Sequence, residues 1–326
     1  MLVTDQAELV DVEYLSPEWY AARADGISAS EIAAVLGLSP WVSPFDLWWL
    51  KRTGEDSQDE NRGMRRGRRY EALILEDFGE AHTEFMVRPS VTVRNVERPW
   101  QLSTPDGLAY DGEHDPPWGE WSDYEPVAAI EAKTGQRREW GEPGTDDIPV
   151  HYRCQVIWQM DTLGLNVAYL PVLFGDQYAE YVVEYDEADA KLMRDRAEVF
   201  LESVRDDQMP DVDDTSATAR RLKKLHPDVE DVEVEVPSAV LAQYHTAKRL
   251  RDAAESRMRL AENRLRSHLG NGRIATVDGR KVASRSVYDV KPRVQEVRGF
   301  TVNKLHISKP SHERNVSHVR NHPEGR

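Results

Sequence analysis

Apolar residues come in short blocks along the first 200 or so positions, and their spacing alternates between helical and strand-like. In "RRYEALILEDFGEAH", Tyr70, Leu73, Ile74 and Phe78 fall on one helical face. Three shorter helices precede it. "SPEWYAARADG" has Ser16 as cap and Pro17 at its first position. "SASEIAAVLG" has Ser28 or Ser30 as cap, Glu31 in its first turn and Gly37 as stop. "SPFDLWWLKRTG" runs from Ser43 and Pro44 to Gly54, with Phe45, Trp48 and Trp49 read first as core packing and second as a platform for bases.

The period then changes. "FMVRPSVTVRN" and "RPWQLSTPDG" are β-rich, with Gly107 turning the chain, and "AAIEAKT" is a third strand. The stretch between them, "DGEHDPPWGEWSDYEP", is an acidic loop rich in Pro and Gly. "VHYRCQVIWQMDTLG" is a helix with Tyr152, Val156, Met160 and Leu163 in a stripe. "NVAYLPVLFG" and "YAEYVVEYD" form a hairpin, and "EADAKLMRDRAEVFLESV" is a closing helix. This order predicts an α/β domain over 1–208, a mixed sheet flanked by helices. A polar linker is expected over 209–237. From residue 238, Val240, Tyr244, Ala247, Ala254, Met258, Ala261 and Leu265 keep heptad spacing, interrupted only by Arg251. That predicts a long helix able to pair with another helix or a neighbouring subunit. A hairpin turning at Asp278-Gly279 follows, so the extension covers 238–308, and a disordered tail is expected over 309–326. His306, His312, His318 and His322 are too irregularly spaced for a metal site.

The chain has 326 residues with 40% hydrophobic and 31% charged content, which suits a folded globular protein. The first residues are acidic and lack the basic start of a signal peptide, and no apolar run approaches a membrane span. The single cysteine, Cys154, excludes an internal disulfide framework. A cytoplasmic protein with no membrane association is expected. Net charge is −16, which argues against nonspecific coating of nucleic acid. Arg62, Arg65, Arg66, Arg68 and Arg69 nevertheless crowd into "NRGMRRGRRYE". Such a patch is either a solvated helix start or a local phosphate-binding surface.

The chemistry gathers at the end of the third strand. Glu131 and Lys133 lie two apart, so they share a face. An ordinary surface ion pair is one reading, worth well under ~1 kcal/mol. If the preceding strand is an antiparallel neighbour, Asp106 of "STPDG" lies beside Glu131. Two converging carboxylates then offer hard oxygens to Mg²⁺, which keeps several waters. The Lys133 ammonium would sit beside a metal water and offset developing negative charge. Glu71, on the long helix, and Gln155, on the later one, are placed to join them.

"TPDGL" and "IEAKT" resemble the two central motifs of the PD-(D/E)XK nuclease superfamily. With "WYAARADGISASEIAAVLGLSPWVSPFDLW", "RRGRRYEALILEDF" and "YRCQVIWQM" in the same order, residues 15 to about 180 resemble the YqaJ-type viral recombinase, phage lambda exonuclease-like family. The resemblance implies a restriction-endonuclease-like core and a metal-dependent exonuclease. Such an enzyme degrades one strand of linear double-stranded DNA from the 5′ end, leaving 3′ single strands for recombination. It implies two Mg²⁺ ions, replaceable by Mn²⁺, held by Asp106, Glu131, the Ala132 backbone carbonyl and Glu71. Lys133 is then the catalytic lysine and Gln155 the helix glutamine. Arg23 and Ser30, with Ser28 beside them, match residues that hold a terminal 5′-phosphate, and Arg65, Arg66, Arg68 and Arg69 add phosphate contacts. Implied partners are double-stranded DNA ends, a single-strand annealing protein and further copies of the chain in a ring. The long acidic connection over 107–126 departs from a tight hairpin, and the resemblance assigns no chemistry beyond residue 208.

Three other readings stand beside this one. The same fold carries endonucleases and resolvases, since fold does not determine substrate. A catalytically inactive DNA-binding or assembly protein would not need the Asp106, Glu131 and Lys133 set. A cysteine enzyme using Cys154 with His151 requires a reactive thiol in the middle of an apolar helix, where burial is usual.

Overall fold

The structure is a computed structural model that describes residues 2–12, 16–55, 62–89, 91–112 and 125–289, with Arg62 and Met64 described by backbone alone. Most of the acidic connection, residues 113–124, lies outside the described residues. So does everything from residue 290, including the tail and its histidines. The chain divides into two compact units, residues 1–226 and 227–326.

The helix starts follow their caps. Helix α1 (Pro17–Ala24) begins where the Trp19 N–H donates to Ser16 Oγ at 3.1 Å. Helix α2 (Ala29–Val35) is capped by Ser28, not Ser30, and the Ser28 N–H donates to Glu31 Oε2 at 2.8 Å. Helix α3 (Pro44–Thr53) starts at Ser43 and stops at Gly54, whose φ of 74° suits a residue without Cβ. It buries Phe45 and Trp48, as expected of core packing.

Helix α4 (Arg62–Ala81) buries Ile74 and Phe78, but Leu73 is 45% exposed. Leu73 sits about 100° before Ile74 around the helix, outside the arc that faces the sheet. That arc packs on the larger sheet, built from β4 (Phe85–Pro89), β7 (Gly107–Asp111), β8 (Pro126–Ile130), β10 (Val167–Phe174) and β11 (Gln177–Glu184). Their order is β11-β10-β8-β7-β4, and the short β9 (Lys133–Thr134) also pairs with β10. β10 runs parallel to β8 and β9, and the other pairs are antiparallel. This is the mixed sheet flanked by helices expected of the core.

Two readings of this region need correction. Gly107 does not turn the chain; it opens β7 and pairs with Ile130 of β8. The strand before Asp106 is β6 (Gln101–Ser103), and it belongs to a second sheet. The other members of that sheet are β1 (Leu2–Thr4), β2 (Ala7–Leu9), β3 (Ile27–Ser28) and β5 (Val93–Asn95), in the order β1-β2-β5-β6-β3. Its strands are too short to carry a readable alternation.

Helix α5 (Val150–Leu163) packs against both sheets. Trp158 Nε1 donates to Leu102 O at 3.1 Å on the smaller sheet, while Cys154, Met160 and Leu163 join the core formed with β10. Burial therefore runs around the helix from Val156 to Leu163 instead of following one stripe. The two faces of β8 separate cleanly. Ala128 and Ile130 pack with Phe78 of α4, and Ala129 packs with the α5 core. By the same alternation Glu131 faces α5.

Helix α6 (Glu187–Arg205) closes this core as expected. The linker expected over 209–237 instead contains helix α7 (Ser216–Leu225). Arg221 there is 1% exposed and donates Nε–H to Asp46 Oδ1 of α3 at 2.7 Å, and Ser43 and Thr218 hydroxyls lie 2.7 Å apart. A buried arginine in a polar, acidic stretch gives no periodic signal.

The second unit holds helix α8 (Ser238–Leu269) and a hairpin of β12 (Ile274–Val277) and β13 (Arg280–Ser284). Asp278 and Gly279 have φ of 49° and 76°, the geometry of the predicted turn. Among the described residues no helix is long and apolar enough to cross a membrane.

Candidate active site

The register Gly107↔Ile130 leaves Asp106 and Glu131 as neighbours one step beyond the paired ends of β7 and β8. The Ala132 N–H donates to Asp106 Oδ2 at 2.9 Å, and the Glu131 N–H donates to Tyr169 O at 2.9 Å. Ala132 thus contributes its amide to this network. Glu131 is 2% exposed and fully engaged. Its Oε1 accepts from Lys133 Nζ and Gln155 Nε2, and its Oε2 accepts from Gln159 Nε2 at 2.6 Å.

Electrostatics mark the same cluster. Burial, and then the charge of Glu131, push the Asp106 carboxyl well above the usual range. The same two causes raise Glu71. Burial works against the Lys133 ammonium, but the charges of Glu131 and Asp106 outweigh it and hold the proton more tightly than usual. Lys133 Nζ lies 5.1 Å from the centre of the Tyr152 ring, which stacks on Trp140.

A second group lines the same cleft as these carboxylates. Arg23 donates to Ser28 Oγ and, at 3.3 Å, to Ser30 Oγ, with its guanidinium 4.1 Å above Trp19. It also pairs with Glu31 at 3.3 Å, as does Lys51 at 2.8 Å. Burial alone would raise Glu31, but Lys51 and Arg23 outweigh it and bring its pKa down to about 2. An Arg23–Glu31 ion pair is therefore present, while Ser30 stays free of the capping role.

One cleft of about 540 Å³ is lined by both groups: Arg23, Ser28 and Ser30, and Asp106, Glu131 and Gln155. Glu71 lines it too. A smaller hollow of about 200 Å³ shares Glu71 and Asp106 with the cleft and is also lined by Lys133 and Tyr152. Arg65, Arg66, Arg68 and Arg69 are not among the described residues lining either space. They project from the turns of α4 before Glu71, exposed, with Arg66 5.8 Å from the Tyr70 ring centre.

Among the described residues, no group of three or more His, Cys, Asp or Glu side chains is arranged to hold a metal ion. What converges is a pair, Asp106 and Glu131, with Glu71 close enough to feel their charge. That donor set fits Mg²⁺, which is typically bound through one or two carboxylates and keeps its waters.

Cys154 is buried on α5, and burial, with Asp189, pushes its thiol up to about 11. It is a core thiol, and the cysteine reading fails. Gln159 was not anticipated from the sequence. It follows Gln155 by one helical turn, is 0% exposed, and its Oε1 has no hydrogen-bond partner among the described residues. A glutamine amid "CQVIWQM" was the available signal.

Residues 18–166 match the YqaJ-like viral recombinase domain. The uncharacterized protein YqaJ of Bacillus subtilis (strain 168) is 27% identical over 222 residues, 66% of this chain. The match spans 64% of YqaJ's own length. The alkaline exonuclease LHK-Exo from Laribacter hongkongensis superposes with a TM-score of 0.45 at 21% identity, covering 64% of this chain and 100% of that one. A phage-related exonuclease from Haemophilus somnus 129PT gives 0.41 at 10% identity, covering 56% and 94%.

Proposed function

We propose that this protein is a Mg²⁺-dependent deoxyribonuclease that degrades one strand of linear duplex DNA from a 5′-phosphorylated end. The observation that carries this reading is that Arg23, Ser28 and Ser30 line the same cleft as Asp106 and Glu131. A guanidinium with two hydroxyls is a donor set for a terminal phosphate. The carboxylates are a donor set for a dication, which when bound supplies charge stabilisation at the scissile phosphate and acidifies a water. Asp106 and Glu131 would hold that ion, and Glu71 lines the same cleft.

The chain's own groups do the rest. Gln155 and Gln159 orient the Glu131 carboxylate through its two oxygens. Lys133 keeps its proton and offsets charge that develops on the phosphoryl oxygens. Water adds to phosphorus, the P–O bond to the departing nucleotide breaks, and a proton passes to the leaving oxygen. The exposed arginines of α4 hold the duplex backbone, so binding weakens as salt rises. The remaining 3′ strand is a substrate for strand annealing by a partner protein.

The test is digestion of 5′-phosphorylated linear duplex, 5′-hydroxyl linear duplex and covalently closed circle, with Mg²⁺ or with EDTA. Degradation of the linear forms only, abolished by EDTA and fastest on the phosphorylated end, is expected. Glu131→Gln should lower the rate roughly 100-fold or more while the fold persists. Arg23→Ala should equalise the two end types yet still cleave. Cutting of the closed circle, or unchanged cleavage in EDTA, overturns the reading.

A further inference from the structure

The 32 residues of α8 include none that is buried. Its heptad stripe is nonetheless ordered. Tyr244, Arg251, Met258 and Leu265 recur every seven residues, and Val240, Ala247, Ala254 and Ala261 form the alternate series. The large apolar members, Val240, Tyr244, Met258 and Leu265, are 43–61% exposed. A stripe eight positions long and open to water is not a stable end state.

We propose that α8 pairs antiparallel with α8 of a second copy of this chain. One register uses all eight positions. It sets Tyr244 against Ala261, Arg251 against Ala254, Met258 against Ala247 and Leu265 against Val240, each met twice about a two-fold axis between residues 252 and 253. Three layers then set a large residue against an alanine and the fourth sets Leu265 against Val240, so the helices can approach closely along the seam. A parallel pair would stack Tyr244 on Tyr244, alanine on alanine and Arg251 on Arg251, with like charges facing in the seam. The flanking charges agree with the antiparallel register, because it brings Lys248 of one copy beside Glu255 of the other. Arg251, the one polar member, lies 3.5 Å from Glu255 on its own helix, so its charge enters the seam already paired. The inference is independent of the nuclease reading and uses no residue that lines the cleft.

Sedimentation of the full chain tests it, with Met258→Glu and the double variant Ala247→Lys/Met258→Glu. Wild type should sediment as a dimer at tens of micromolar. Met258→Glu should weaken association at least tenfold with helix content unchanged by circular dichroism. The double variant should recover it, because the introduced carboxylate of one copy and the introduced ammonium of the other face each other only in this register. A spin label on Ala239→Cys, with Cys154→Ser, should report a distance of ~40 Å between equivalent sites, from 27 residues of helical rise. A monomeric wild type would mean that the stripe is covered within its own chain, and it overturns the proposal. A dimer that survives Met258→Glu, a double variant that stays weak, or a short label distance overturns it as well.

Discussion

Replacing Gln159 with Leu separates catalytic positioning from stability. The Gln159 amide donates to Glu131 Oε2 at 2.6 Å in a fully buried setting. A hydrogen bond to a charged acceptor is worth about 1.5–3 kcal/mol net. The same side chain buries Oε1 without a partner among the described residues, a loss of about 1–3 kcal/mol that Leu removes. The two terms oppose each other, and Leu fills similar space. Stability should therefore change by no more than about 1 kcal/mol, or about 2–4 °C in Tm. Orientation of Glu131 has no such compensation. Its Oε1 keeps Lys133 and Gln155, but its Oε2 loses the donor seen here. If the hydrogen-bond energy is spent on holding the carboxylate in place, the rate falls by about 10- to 150-fold. The assay is the initial rate of Mg²⁺-dependent digestion of linear duplex, paired with a thermal melt. A Tm loss near 10 °C with an unaltered rate would refute the reasoning, because Gln159 would then be a structural residue only.

Three further outcomes are expected. Arg221→Met removes the buried ion-pair partner of Asp46, whose side chain is 3% exposed, so urea unfolding should register a loss of about 3–5 kcal/mol, most of it regained with Asp46→Leu added. His82 is bonded by Glu84 and Glu180 at 2.9 Å each, and although burial pulls its pKa down, these carboxylates outweigh it and raise it. Its contribution to stability is therefore complete below the ordinary histidine value of about 6.5 and fades as pH rises through the higher folded value, a slope in Tm against pH that His82→Gln should flatten. Gly26→Ala places a Cβ 2.2 Å from Leu102 Cδ1 and 2.5 Å from Trp100 O, and since the latter is backbone, a Tm loss equivalent to about 1–3 kcal/mol is expected; an unchanged melt would contradict the close approach of α1's end to β6.

What the sequence reveals here depends on how local the cause is. Caps and turns need only neighbouring residues, so Ser16, Ser43, Gly54 and Asp278-Gly279 read directly. The pairing of Asp106 with Glu131 was also legible, because strand alternation and one antiparallel register are enough to bring them together. The strand responsible was misjudged, since Pro105-Asp106-Gly107 has turn chemistry but serves as the crossing from the smaller sheet into β7. Leu73 shows a different limit: an apolar residue on an amphipathic helix fixes the face only to within one position. Helix α7 was hidden because what anchors it is Arg221 on a distant Asp46, and long-range ion pairs leave no periodicity. The Arg23 and Asp106 groups lie far apart in the chain, and only the fold puts them in one cleft.

Arg23 raises a question of charge: a guanidinium already paired with Glu31 would have little left for a phosphate. The geometry answers it. Glu31 is shared by two cations, with Lys51 Nζ at 2.8 Å from Oε2 and Arg23 at 3.3 Å from Oε1. Glu31 thus divides its field between two cations, and Lys51, the closer, which Asp25 also helps against the cost of its burial, takes the larger part. Lys51 also donates to Arg23 O at 2.8 Å, which ties its ammonium to the backbone that carries the guanidinium. Arg23 is in turn braced from below by Trp19, whose Nε1–H donates to Thr92 Oγ1 at 2.9 Å. The ion pair therefore orients the guanidinium without neutralising it. Removing Lys51 would leave the Glu31 carboxylate to Arg23 alone, so Lys51→Met should weaken the preference for 5′-phosphorylated ends almost as much as Arg23→Ala. A Lys51→Met protein that melts normally and keeps the full preference would show that Arg23 holds its charge without help.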